Sequence, residues 1–173
     1  MRIPRLLLTF GLLASICPLV HAGTDVPVLA GSWTIDREAS SPIDPWGRIT
    51  LDIAIDGKAI SISRTVTTGR RNSTQVYPFV VGEETKIPVT WWTGNRHIGA
   101  YMGGDGTETI TAEWMDGGRT LRVESRYVLQ TSQGETAVRS YYEYRLDPDG
   151  SGLTVIELRS SRSTPVVHVF KRA

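Results

Sequence analysis

Cysteine is all but missing from this chain: one residue, Cys17, stands among 173. No disulfide can form within the chain, so the fold has to be held by its own core. Histidine is nearly as scarce. His21, His97 and His168 show no ligand spacing, and a single cysteine cannot complete a set with them, so no metal centre is expected. Charge of one sign is lacking too: 19 Lys and Arg are interspersed with 18 Asp and Glu, which offers no electrostatic grip on nucleic acid. No Gly-Lys-Ser or Gly-Lys-Thr follows the glycines, which excludes a phosphate loop. No Gly-x-Ser-x-Gly elbow is present either. No catalytic residue and no cofactor is assigned.

Only one long apolar run occurs. Arg2 and Arg5 precede it, it extends from Leu6 to Val20, and Val20-His21-Ala22 closes it. That order predicts a signal peptide over 1–22, cleaved before Gly23. Thr9, Gly11, Ser15 and Pro18 interrupt the run and leave it short of the roughly 20 apolar residues of a membrane span. No stable membrane insertion is therefore expected after cleavage. Lipidation at Cys17 is disfavoured by the bulky Ile16 before it. The mature part, 173 − 22 = 151 residues, suits one domain over 23–173. A disulfide-free exported domain points to a periplasmic or secreted location, the bacterial periplasm above all. Asn72-Ser73-Thr74 is a glycosylation acceptor only in a host with that machinery, and is expected to be unused.

Beyond Gly23 no long stretch has helical periodicity, whereas alternation rich in Ile, Val, Thr and Tyr recurs to the end. The fold class is all-β. Strands are predicted near 31–35, 49–55, 59–67, 73–81, 87–92, 107–114, 119–130, 136–146, 152–160 and 165–171. Tight turns test this by register. A turn at Asp56-Gly57 sets Ile53 opposite Ile60 and Leu51 opposite Ile62. One at Asp116-Gly117 sets Ala112 opposite Leu121 and Ile110 opposite Val123. One at Gln133-Gly134 sets Leu129 opposite Val138 and Leu121 opposite Leu146. The turn 147–150 brings Leu153 near Tyr144 and Val155 near Tyr142. Since each strand reverses the last, the tight turns, the Gln133 turn excepted, share one end. The other end carries 36–48, 68–72, the glycine-rich 93–106 and 161–164. That long-loop rim is the expected functional end.

Gly31-Ser32-Trp33 on the first strand, with Lys171 and Arg172 at the end of the last, resembles the lipocalin-like superfamily, and within it a group of small bacterial exported proteins. The resemblance implies an antiparallel up-and-down barrel of 8 to 10 strands, closed where Arg172 covers Trp33. It also implies a cup for a small hydrophobic molecule. The lipocalin helix before the final strand is not evident here.

Several residues are candidates for contact with such a ligand. Ile87, Val89 and Trp91 share a face, so Trp91 should point inward and Trp92 outward, with His97 and Tyr101 in the glycine-rich stretch beyond them as a portal; the alternative is that Trp91 is core filler and the glycines only turn the chain. Arg64 and Glu157 are inward positions toward the long-loop rim; paired inside the mouth they would be either a ligand anchor or an internal tie, and the alternative is that both are simply exposed at strand ends. Tyr127, Tyr142 and Tyr144 should line the interior, as ligand contacts or as ordinary core. Outside, Glu124 is placed opposite Glu143 with Arg122 and Arg145 diagonal, an ion-pair ladder. The leading expectation is binding of a small apolar or amphipathic molecule. Two others stand beside it: an interaction or envelope-associated module with a filled barrel, and a cofactor-free enzyme working at the barrel mouth. Oligomeric state is left open.

Overall fold

The computed structural model describes residues 29–43, 47–89 and 101–173. Among the described residues eleven antiparallel strands make one sheet: β1 (Gly31–Asp36), β2 (Arg48–Asp56), β3 (Ala59–Thr68), β4 (Arg71–Val80), β5 (Thr85–Pro88), β6 (Tyr101–Met102), β7 (Thr107–Met115), β8 (Thr120–Thr131), β9 (Gly134–Leu146), β10 (Gly152–Arg159) and β11 (Val166–Arg172). Alternation builds them. Ile49, Leu51 and Ile53 of β2, or Leu121, Val123 and Tyr127 of β8, face one buried core while the residues between face water.

The hydrogen-bonded order is β4-β3-β2-β1-β11-β10-β9-β8-β7-β5, with β6 on the β8 edge. First and last strands therefore meet, and the sheet curls into a nearly closed barrel. Its two end strands, β4 and β5, face each other without a ladder. Among the described residues the backbone hydrogen bonds of this seam are confined to the turn joining β4 to β5, where Gly82 N–H donates to Ala112 O of β7 at 2.9 Å and Glu83 N–H to Val80 O at 3.1 Å.

Closure at β1–β11 sets Trp33 opposite Arg172. Trp33 is fully buried, and its Nε1 donates to Leu29 O at 3.0 Å. The Arg172 guanidinium lies 4.4 Å from the ring centroid and donates to Gly150 O at 3.1 Å and Ala30 O at 3.3 Å. Gly31 has φ +132°, and a Cβ there would come within 2.9 Å of the Arg172 guanidinium. The positive φ favours glycine, and the missing Cβ lets the guanidinium lie where it does without shifting, which is the physical content of the Gly-x-Trp pattern.

The expected antiparallel barrel of about ten strands is what the described residues form, ten on the hydrogen-bonded path with the two-residue β6 beside it. One sequence expectation needs correction: every hairpin register is two residues off, so that Ile53 pairs with Ile62, Ala112 with Val123, Tyr127 with Val138 and Leu153 with Leu146. At the first hairpin the loop is Gly57-Lys58, because only Gly57 takes positive φ, at 57°, as a turn of the II′ kind requires. The Asp116 loop spans four residues, with Asp116, Gly117 and Gly118 all at positive φ. The same shift separates the two outer carboxylates. Glu143 lies opposite Arg122 and Glu124 opposite Tyr141, and Glu124 instead binds Arg139 at 2.7 Å.

Trp33→Ala is expected to cost about 3–5 kcal/mol, the range for deleting a buried aromatic. Arg172→Ala should cost about 1 kcal/mol, as for an exposed cation over an indole. Urea unfolding measures both; equal effects would contradict this account of the closure.

Candidate functional site

Behind the seam lies an interior cavity whose walls come from β3, β4, β7, β8 and β9. Ile62, Phe79, Ile110 and Val123 supply its apolar side; Arg64, Glu108, Ser125 and the tyrosines Tyr77, Tyr142 and Tyr144 supply the polar side. Each reaches the interior by strand alternation: Glu108 shares a face with Ile110 and Ala112, and Ser125 sits between Val123 and Tyr127. The centre of a water molecule has about 40 Å³ in which to move, room for a few waters at the ~10–15 Å³ each requires.

Two of these polar side chains, those of Arg64 and Ser125, are not paired off as a structural core would pair them. Arg64 forms no hydrogen bond or ion pair among the described residues. Ser125 is 1% exposed and its Oγ completes no hydrogen bond. Glu108 is also buried, and burial pushes its carboxyl above the ordinary 4.5; the neighbouring Ser125 hydroxyl and Arg159 oppose the rise, and Glu157 adds to it. Burial likewise raises the Tyr142 and Tyr144 phenols, so both remain neutral donors.

Toward the long-loop rim the interior is tied by polar contacts. Glu157 and Arg159 form an ion pair whose side chains are 8% and 1% exposed. Tyr127 Oη and Ser140 Oγ are 3.2 Å apart, and His168 packs edge-on against Phe170 with centroids 6.3 Å apart. Tyr127, Leu129 and Val138 form a small second cluster, with Met102 of β6 against it.

Of the residues singled out in the sequence, Arg64, Tyr142 and Tyr144 line the cavity. Glu157 and Tyr127 belong to the polar layer beside it. Arg64 and Glu157 do not pair, so that reading of the two residues is corrected; Arg159, two positions along the same strand and face, reaches Glu157 instead. Tyr101 is 69% exposed and points away from the interior, since β6 lies on the β8 edge and it is Met102 that turns inward. Trp91, Trp92 and His97 lie outside the described residues. Trp33 and Arg172 are at the closed end. Sequence reasoning missed Glu108, Ser125 and Tyr77. Ser125 was findable, because it interrupts the apolar inward series from Val123 to Tyr127.

No protein-family model matches this sequence, and no curated protein does. Among solved structures, a Schistosoma mansoni fatty acid binding protein in complex with arachidonic acid gives a TM-score of 0.51 at 10% identity, covering 86% of this chain and 98% of that one. A secretory abundant heat soluble protein from Ramazzottius varieornatus gives 0.51 at 12% identity, covering 83% and 94%. The likeness is one of fold, a lipocalin-like antiparallel barrel.

Two outcomes are expected of the interior charges. Below 4.5 the Glu108 carboxyl is protonated in folded and unfolded chains alike; above it the unfolded chain ionises first, so folding loses stability as pH rises until Glu108 itself ionises. Glu108→Gln should therefore match the parent near pH 4 and exceed it at pH 8 in urea midpoint. Arg159→Met, which strands Glu157, should cost about 3–5 kcal/mol, and Glu157→Leu added to it should restore most of the loss.

Proposed function

We propose that this protein is exported to the periplasm, loses residues 1–22, and binds a small apolar or amphipathic molecule in the barrel interior as one of the bacterial lipocalin-like proteins. The observation that carries the reading is the set Arg64, Glu108 and Ser125, turned into one interior space within an otherwise apolar wall. Burying such groups costs several kcal/mol unless something bonds them, and a barrel built only to be stable would place aliphatic side chains there. The arrangement suits the polar end of an amphipathic ligand: Arg64 and the neutral tyrosines can hold an acceptor, and Glu108 can accept a hydrogen bond when ionised or donate one when protonated. The Schistosoma protein of the same fold was solved with arachidonic acid, which supports a hydrophobic ligand. The small volume of the cavity means that the occupant is small or that it parts the walls.

That small volume also favours a second reading, a filled barrel that works through its surface. Native mass spectrometry with solvent extraction separates the two. Purified protein is expected to release a bound small molecule on denaturation, and its tyrosine and tryptophan fluorescence to respond to fatty or isoprenoid ligands. Arg64→Met should weaken an acidic ligand about tenfold, or about 1.4 kcal/mol. A barrel that returns empty and ignores the whole panel would establish the filled reading instead. Osmotic-shock release of a chain beginning at Gly23 tests the export.

A further inference from the structure

We infer that small molecules reach the cavity sideways, through the seam between β4 and β5, and that Phe79 is its gate. Among the described residues this seam is the one break in the ring of hydrogen-bonded strands. The cavity sits directly behind it. Its lining comes from strands that flank the seam, and none of it from β1, β2, β10 or β11 on the far side. On the outer side of the same seam runs a groove of about 590 Å³, lined by apolar residues that include Ile55, Val80, Ile87 and Pro88. Phe79 belongs to both: it lines the cavity inside and the groove outside, and at 3% exposure it fills the space between them.

Two prolines keep this seam from zipping shut. Pro78 lies on β4 and Pro88 on β5, the two strands that face each other across the break. Neither has an N–H, so each removes a donor that a continuous ladder would use. Among the described residues the seam beyond the 81–84 turn is closed by side-chain packing, with Ile60 and Ile87 lining it alongside Phe79. Turning an aromatic ring aside breaks only dispersion contacts. The route over the long-loop rim meets the Glu157–Arg159 pair and the Tyr127–Ser140 contact, and opening it would strand a buried charge. The lower barrier lies at the seam.

This route matters only if the cavity is a binding site, yet it can be tested with no ligand. In a Cys17→Ser chain, Ser125→Cys places the sole thiol in the cavity, and the rate of its modification by methyl methanethiosulfonate reports access. Phe79→Ala is expected to raise that rate at least tenfold, Ser61→Trp, which covers the groove, to lower it several-fold, and Met102→Ala at the rim to leave it unchanged. Should Phe79→Ala fail to fold, Phe79→Leu is expected to give a smaller rise. The rate should also stay flat in urea well below the unfolding transition. Rates that ignore the Phe79 and Ser61 variants, that respond to Met102→Ala, or that climb with urea from the start would overturn the lateral route. Labelling through the seam of a barrel that retains no ligand would sink the binding reading and leave the route intact; a retained ligand with seam-insensitive labelling would do the reverse.

Discussion

The inward position of every side chain discussed here depends on β1 meeting β11. An antiparallel sheet of this length, left open, would expose one whole apolar face; joining its first and last strands turns that face into an interior. The join is secured at one point by Trp33, fully buried beneath the Arg172 guanidinium, beside Gly31, whose φ of +132° favours glycine. A basic side chain is apt there because its charge remains in water while its planar face covers the indole. With the closure on the β1–β11 side, the mismatch left by curling the sheet falls on the opposite side, between β4 and β5.

How much of this was legible in the sequence depends on period rather than register. Side chains alternate every two residues, so a pairing error of two leaves each one on its proper face. That is why Leu51, Ile53, Ile62 and Val123 were rightly placed in the core although each partner was misassigned. Turn chemistry was ambiguous by one residue: Asp-Gly suggests its own pair as the loop, whereas at Asp56 the single positive φ falls on Gly57 and the loop moves forward. The candidate site was legible only in part. Arg64 and Tyr142 followed from alternation, but the partner of Glu157 did not, because a contact across the barrel had to be weighed against one along the strand, and the nearer Arg159 wins. Glu108 was overlooked because a glutamate in a Thr- and Glu-rich strand reads as surface.

The same residue type behaves oppositely on the two faces of the sheet. Outside, Glu124 and Glu143 are held below the usual carboxylate range by Arg139 and by Arg145, so their contribution to stability is present above 4.5 and fades as pH falls. Inside, Glu108 is raised by burial, and its contribution runs the other way. The outer pairs are exposed and screened, and suit solubility and strand register. The inner group has no comparable role in register or solubility, and that contrast is what the proposed binding reading builds on.

Cavity, seam and polar layer then make one arrangement. A ring tied by backbone hydrogen bonds all the way round would be a sound container with no easy entrance, and a barrel whose mouth held the entrance would need a mouth free of buried charge. Here the rim side is fastened by an ion pair, the far wall by continuous ladders, and the remaining side by the packing of Phe79, Ile60 and Ile87. Local opening follows the weakest fastening. Packing between two proline-bearing strands is weaker than a ladder or a buried charge pair, so the polar groups of the cavity lie behind the part of the wall that yields most readily.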